Sequence, residues 1–121
     1  MESRRLFEGE HRFLSIIWEH EPVASGELVR LCLAELGWKK STTYTMLKRL
    51  GDKGLVANEN AVVRALVSRE EVRAAESAYV VEQTFSGSLP GFLVSFLGGR
   101  RLSAREAEEL KRLIDAHRER E

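Results

Sequence analysis

The sequence has little of the chemistry that cross-links secreted domains or binds metal ions. It contains one cysteine, Cys32, and three histidines in 121 residues. A single thiol excludes an internal disulfide framework and leaves no cluster of metal ligands. We therefore expect Cys32 to be a small buried hydrophobe and expect the protein to need no cofactor.

Long apolar runs are also missing. No stretch approaches the ~20 consecutive apolar residues that a membrane-spanning helix needs. The first ten residues, MESRRLFEGE, lack the apolar centre of a signal peptide. These absences predict a cytoplasmic protein with no membrane partner.

The residue types that catalyse reactions are scattered. His11, His20 and His117 are far apart in the sequence, and Cys32 falls on the apolar face of a predicted helix. Catalysis through a nucleophile requires that nucleophile, a base and an orienting group within hydrogen-bonding reach of one another. The sequence also lacks a glycine-rich phosphate loop, so it does not favour an enzyme.

A basic excess, which many nucleic-acid-binding proteins show, is absent overall but present locally. The chain has 19 Lys and Arg against 19 Asp and Glu. Residues 38–53 nevertheless contain five Lys or Arg and one Asp, a surplus of four positive charges. Because the local field decides which ligand approaches a surface, this segment is the candidate for contact with nucleic acid.

The same segment, KKSTTYTMLKRLGDK at residues 39–53, predicts an amphipathic helix. Its apolar stripe at i, i+3, i+4 and i+7 would consist of Thr43, Met46, Leu47 and Leu50. The opposite side combines hydroxyl groups with cations, which donate hydrogen bonds to phosphates and base edges. The residues predicted to contact DNA are Lys39, Lys40, Ser41, Thr42, Tyr44, Thr45, Lys48, Arg49 and Lys53.

The surrounding residues predict a winged helix-turn-helix domain over residues 1–67. One helix is expected over residues 6–20, and a second begins with Ser25 as N-cap and ends at Gly37. We expect Trp38 to fill the core between the second and third helices. After Gly54, two β-prone runs flank the turn residues 58–60 and predict a short hairpin.

Three further helices are predicted over residues 68–121. Ser68 with Glu71, and Ser103 with Glu106, have the spacing of capping boxes that begin the first and the last of them. Between these two helices, Pro90 suits the first turn of a short and strongly apolar helix. The fold class is therefore mainly α with a small β-hairpin: an N-terminal winged helix-turn-helix and a C-terminal helical dimerisation domain.

The C-terminal segment is too short to enclose its own apolar side chains. A second copy of the chain, packed about a two-fold axis, is the economical partner, and the alternative is that these helices fold back on the winged helix. The predicted dimerisation residues are Tyr79, Leu89, Phe92, Leu93, Phe96, Leu97, Leu102, Leu110, Leu113 and Ile114.

Three stretches together resemble the penicillinase-repressor family of bacterial transcription factors, the BlaI/MecI type. They are IIWEHEPV in the first helix, the pattern W-x-x-x-T-x-x-T-x-x-x-R-L-x-x-x-G at residues 38–54, and SFLGGRRLSAREAEELKRLID in the tail. The resemblance implies a homodimeric repressor that binds a palindromic double-stranded DNA operator. It also implies control of an antibiotic-resistance or stress-response gene.

The chain departs from that family's pattern at three places. The wing, residues 58–61, is short and acidic where many relatives have a longer basic one, and Tyr44 stands where some relatives have arginine. The bond cut in the protease-regulated members corresponds to Ser95–Phe96, with serine in place of their asparagine. A regulatory protease is thus a candidate partner through the resemblance alone.

One further class of function stays open on the sequence. The neutral total charge and the acidic wing are also compatible with a winged helix that contacts proteins and does not bind DNA. The two hypotheses differ in the expected salt dependence of binding to random duplex DNA.

Overall fold

A computed structural model describes residues 6–119 of the chain. Residues 1–5, at the start of the predicted winged-helix domain and of the segment expected to lack a signal peptide, lie outside the described residues, as do residues 120–121. The described elements are α1 (Glu8–His20), β1 (Val23–Ala24), α2 (Ser25–Leu36), α3 (Lys40–Asp52), β2 (Val56–Glu59), β3 (Val62–Ala65), α4 (Arg69–Phe85), α5 (Leu89–Leu97) and α6 (Ala104–Ala116).

The architecture confirms the predicted fold class, a mainly α protein of the winged-helix type. The strands form one antiparallel sheet in the order β1-β3-β2, with Val63 of β3 paired to Val23 on one side and to Asn58 on the other. Within residues 6–119, none of the helices has both the length and the apolar composition that crossing a membrane requires.

The start of α2 differs from the prediction. Ser25 is the first residue of the helix, and the N-cap is Ala24, whose side chain makes no capping hydrogen bond. Pairing with β3 keeps the chain extended through Ala24, and the Ser25 amide donates to the carbonyl of Ala61 at 2.8 Å. The helix therefore begins one residue earlier than an N-cap at Ser25 would imply, and β1 was not predicted.

The hairpin turn is shorter than expected. Asn58 and Glu59 continue β2 and pair with β3, and the turn consists of Asn60 and Ala61. Both turn residues have positive φ, 54° and 62°, as two-residue hairpin turns of type I′ require to match the strand twist. Gly54, with φ of 79°, separates α3 from the hairpin as predicted.

The core lies between α1, α2, α3 and the sheet. It includes Phe13, Leu14, Ile17, Leu28, Leu50, Leu55 and Val63, all essentially inaccessible to solvent. Trp38 is half-buried but stacks on Phe13 of α1, with 5.7 Å between ring centroids, so it packs against the first helix as well as filling the turn.

The predicted stripe of α3 faces this core. Thr43, Leu47 and Leu50 are buried and Met46 is half-buried. Cys32 of α2 is also buried, as expected. Burial raises the pKa of its thiol above the ordinary value, while the neighbouring Thr43 side chain lowers it and the charge of Glu35 raises it further.

The three C-terminal helices begin where their caps predict. Ser68 and Glu71 form a reciprocal capping box at the start of α4. The Ser88 hydroxyl caps α5, whose first turn contains Pro90. The Ser103 hydroxyl accepts the Glu106 amide at 3.0 Å, one half of the expected box at the start of α6.

The base of α4 packs back on the winged helix, whereas the later helices do not become buried. Val72 of α4 joins the core, and the indole of Trp18 donates to the carbonyl of Val67 at 2.9 Å. Neither α5 nor α6, both wholly within the described part of the chain, contains a buried residue. Folding back on the winged helix, the alternative raised from the sequence, is therefore seen for the first half of α4.

Candidate nucleic-acid interface

The polar face of α3 is exposed along the whole helix. Lys39 is the N-cap and Lys40 the first helical residue. Eight of the nine residues predicted to contact DNA are exposed: Lys39, Lys40, Ser41, Thr42, Tyr44, Thr45, Lys48 and Arg49. Since the opposite stripe is anchored in the core, these side chains share one outward surface, which we call the α3 face.

The ninth residue, Lys53, lies differently. Its ammonium group is 3.1 Å from Oε2 of Glu10, and its side chain is 25% exposed. Glu10 belongs to the first turn of α1 and is 1% exposed, so its carboxylate needs a compensating cation. Lys53 thus compensates the buried charge of Glu10 at the junction of α1 and α3.

Arg49 is the second cation near the same carboxylate but remains available to a ligand. Its guanidinium nitrogen is 3.9 Å from Oε2 of Glu10, beyond hydrogen-bonding distance, and its side chain is 54% exposed. A guanidinium has five N–H donors, so a distant carboxylate on one side leaves donors for phosphates or guanine on the other.

Sequence reasoning missed Glu10. It was one of several acidic residues between the apolar positions of the first helix, and such residues are usually exposed. A signal was present in its spacing: Glu10 stands three residues after Phe7 and accepts the Phe7 amide at 3.0 Å, which places it in the first turn of the helix. Nothing local shows that α3 would cover that turn.

Two further polar contacts shape the α3 face. Asp52 accepts a hydrogen bond from Lys48 at 3.4 Å. The Tyr44 hydroxyl donates to the Ser25 hydroxyl at 3.4 Å and so links α3 to the start of α2. Tyr44 therefore has a contact within the fold besides its exposed ring edge.

The wing is held close to the body of the domain. Its turn carbonyl at Ala61 accepts the Ser25 amide, and Glu59 is 3.6 Å from Arg64 across the hairpin. A cleft of mixed charge separates α3 from β2 and is lined by Lys48, Asp52, Asn58 and Glu59 among others. With acidic side chains on both walls, this cleft is a poor place for phosphate.

A second exposed surface is apolar and belongs to the C-terminal helices. Of the predicted dimerisation residues, Leu89, Phe96, Leu102, Leu110, Leu113 and Ile114 are exposed, and Tyr79, Phe92, Leu93 and Leu97 are half-buried. An apolar groove between α4 and α5 is lined by Val80, Val81, Leu89 and Phe92 together with neighbouring α4 residues. Patches of this kind on a globular chain mark interaction surfaces.

The candidate cleavage bond, Ser95–Phe96, lies within α5, and both of its residues are exposed. The Arg100 guanidinium lies 4.5 Å from the centroid of the Phe96 ring and donates to the Phe96 carbonyl. Arg100 thus contacts Phe96, the residue on the C-terminal side of this bond, through both its ring and its carbonyl. Among residues 6–119, no three His, Cys, Asp or Glu side chains form a group that would hold a metal ion.

Comparison with known proteins gives matches over most of the chain. Residues 7–116 match the family model described as penicillinase repressor. The chain is similar to the penicillinase repressor of Bacillus licheniformis, at 25% identity over 123 residues that cover 96% of this chain and 94% of that protein. It is also similar to the methicillin resistance regulatory protein MecI of Staphylococcus aureus, at 22% identity over 110 residues, 88% of this chain and 89% of that protein.

Proposed function

We propose that this chain, which belongs to the penicillinase repressor family, binds a palindromic operator as a homodimer and blocks transcription from it. Members of this family are transcriptional regulators, which agrees with the prediction that the protein is not an enzyme. The proposal concerns the finer points: which residues contact DNA, how two copies pair, and what the protein controls.

The observation that carries the proposal is the α3 face. An α-helix fits the major groove, and this one presents hydroxyls and cations outward while its apolar stripe is buried in the core. We assign Lys39 and Lys40, at the start of α3, to phosphate contacts. Arg49 and the hydroxyls of Ser41, Thr42 and Thr45 are assigned to base edges.

Lys53 is assigned a different role from the one that the sequence suggested. Because its ammonium group compensates the buried carboxylate of Glu10 at 3.1 Å, we infer that it stabilises the fold and contributes little to DNA binding. Lys48 is weakened as a phosphate contact by its pair with Asp52. Arg49 is therefore the principal cation of the second half of α3.

The wing is expected to add little. Its turn is tied to α2 through Ser25 and Ala61, and Glu59 would repel a phosphate. Sequence preference should then depend mainly on the residues from Ser41 to Arg49.

Homodimerisation is supported by the exposed apolar residues of α5 and α6. Two identical surfaces related by a two-fold axis would cover one another without any additional partner. With residues 1–67 as the DNA-binding unit and 68–121 as the dimerisation unit, the two α3 helices would meet successive major grooves. Half-sites about one helical turn apart, or a multiple of it, follow from that geometry.

The names of the relatives indicate the kind of gene under control. They are a penicillinase repressor and a methicillin resistance regulator. By analogy with these names, the target of this chain would be an antibiotic-resistance or stress-response gene. A protease that cuts Ser95–Phe96 remains a candidate partner only through the family resemblance seen in the sequence.

The test begins with selection of an operator from random duplex DNA, followed by titration of wild type and Arg49→Ala. Loss of one base-contacting arginine should weaken specific binding by about 1 to 3 kcal/mol and relax selectivity at one base pair of each half-site. Arg73→Ala, on an exposed face of α4, is the matched control and should bind as wild type does.

Equal operator affinity of Arg49→Ala and wild type would refute the assignment of the α3 face. Binding to random duplex that does not change with salt, or no binding at low salt, would instead favour the protein-contact alternative.

A further inference from the structure

A single carboxylate joins α4 to the first helix of the winged domain. Oε2 of Glu76 lies 2.6 Å from Nε2 of His11 and accepts the Leu6 amide at 3.3 Å. Both contacts are partly buried. They span 65 and 70 residues of sequence, so they are tertiary contacts that the helix itself does not require.

A separate set of contacts holds the first turn of α4. The Arg69 guanidinium lies 4.8 Å from the ring centroid of Trp18, and Val72 is buried in the core. From Arg69 to Glu76 is seven residues, about 10 Å along a helix axis. The helix is thus attached to the winged domain at two levels, and two attachments define its direction where one would leave it able to swing.

Beyond Glu76, α4 leads directly to the apolar surface. The helix is unbroken to Phe85, and the Phe85 ring meets the Phe92 ring of α5 edge-on, with 5.5 Å between centroids. At 17 residues, α4 is about 25 Å long, so a rotation of about 10° at its base moves its far end by about 4 Å. That distance is close to the rise of one base pair, about 3.4 Å.

The direction of α4 therefore bears on which operators a dimer accepts. Changing the separation of half-sites by one base pair moves a half-site by one rise. It also turns the groove by about 35°, since a helical turn contains about 10 to 10.5 base pairs. A dimer with a fixed α4 direction would therefore bind operators of altered half-site spacing poorly. A dimer whose α4 can change direction would bind them better.

We propose that Glu76 is a positioning residue that, through His11 and the Leu6 amide, sets the half-site spacing that the dimer accepts. The proposal rests on the dimeric DNA-binding function proposed above. It makes Glu76 a determinant of operator choice although Glu76 lies on the α4–α1 junction and not on the α3 face.

The experiment measures affinity for a series of operators whose half-sites are separated by the selected spacing and by one or two base pairs more or fewer. Wild type should prefer one spacing sharply. Glu76→Ala should reduce that preference by about tenfold, the lower end for loss of a hydrogen bond to a charged group. Its affinity for duplexes with a single half-site should stay that of wild type.

Two further variants separate positioning from general stability. Glu70→Ala removes an exposed carboxylate from the same helix and should keep the wild-type spacing preference. Glu76→Gln keeps an acceptor oxygen for the Leu6 amide and should restore part of the preference. His11→Ala should act like Glu76→Ala, and the double variant should add little, because both remove the same contact. His11→Ala also serves if Glu76→Ala fails to fold.

An unchanged spacing preference in both Glu76→Ala and His11→Ala would overturn the proposal, as would an equal loss of affinity at every spacing and at single half-sites. A failure of wild type to bind any duplex would refute the proposed function itself, which is a different outcome from either of these.

Discussion

Residues 6–67 and residues 89–116 are both well-formed, but they bury their side chains to very different extents. The first region closes around Phe13, Leu14, Leu28 and Leu50, which solvent does not reach. In the second, α5 and α6 have capped N-termini and regular helical turns, yet no residue in either helix is buried. The helices α5 and α6 thus form without fully burying any side chain against the rest of the chain.

The difference does not follow from apolar content. The sequence of α5, LPGFLVSFL, is richer in apolar side chains than that of α3, yet α3 contributes three buried residues and α5 none. Several elements of the same chain pack around α3, whereas α5 packs against α4 and leaves side chains such as Val94 and Phe96 exposed. Burial of the apolar side chains of α5 against another surface would therefore be favourable. We expect that surface to belong to a second copy of the chain.

The largest expected effect comes from making the same change in both regions. Phe13→Ala should lower the free energy of unfolding by about 3 to 5 kcal/mol, because it leaves a cavity where Phe13 now packs against Trp38. Phe96→Ala should have an effect that depends on protein concentration, since Phe96 is 50% exposed in the single chain.

Urea unfolding at several protein concentrations measures both variants. If Phe96→Ala cost as much as Phe13→Ala at every concentration, the contrast between the two regions would be wrong.

The next effect places a charge in the proposed interface. Phe96→Asp should weaken dimerisation by about 2 kcal/mol or more and yield monomers at micromolar concentration, because the carboxylate would be buried without a partner. Sedimentation measures the change. The control is Gln83→Glu, which adds the same charge at an exposed polar position of α4 and should leave the dimer intact. A Phe96→Asp dimer that persists would exclude Phe96 from the interface.

The smallest expected effect concerns Cys32, which reports on the first region alone. Burial raises the pKa of its thiol in the folded chain above the ordinary value of 9.0. The unfolded chain therefore loses this proton first as the pH rises, and wild type should lose stability from about pH 9 upwards. Cys32→Ala lacks the thiol, so its unfolding free energy should fall less steeply over the same range. The unfolding free energy is measured by urea titration at each pH. If it fell equally steeply with pH in wild type and Cys32→Ala, the result would argue against burial of the thiol.

Much of the fold was predictable because its signals are local. The stripe from Thr43 to Leu50 predicted α3, and the caps at Ser68 and Ser103 predicted the starts of α4 and α6. The misses are tertiary. Ser25 has the chemistry of an N-cap, but Ala24, which is extended and pairs with β3, takes the N-cap position, and the helix begins at Ser25 itself.

In the candidate interface, too, the features with local signals were predictable and the one that depends on a distant contact was not. The polar side of α3 was read from periodicity, and the structure exposes eight of the nine residues predicted there. The role of the ninth, Lys53, depended on a carboxylate 43 residues away. Whether the exposed residues bind DNA stays a prediction for the Arg49→Ala experiment.

By itself, the sequence determined which segments form helices and which side of each helix is apolar, because caps and periodicity act within a few residues. Tertiary structure alone decided what the charges do. Arg49 and Lys53 are both cations near the end of α3, four residues apart, but Glu10 is buried against that end and pairs with the nearer of the two, Lys53. A buried carboxylate requires a close cation, and that requirement leaves Arg49 outward on the α3 face.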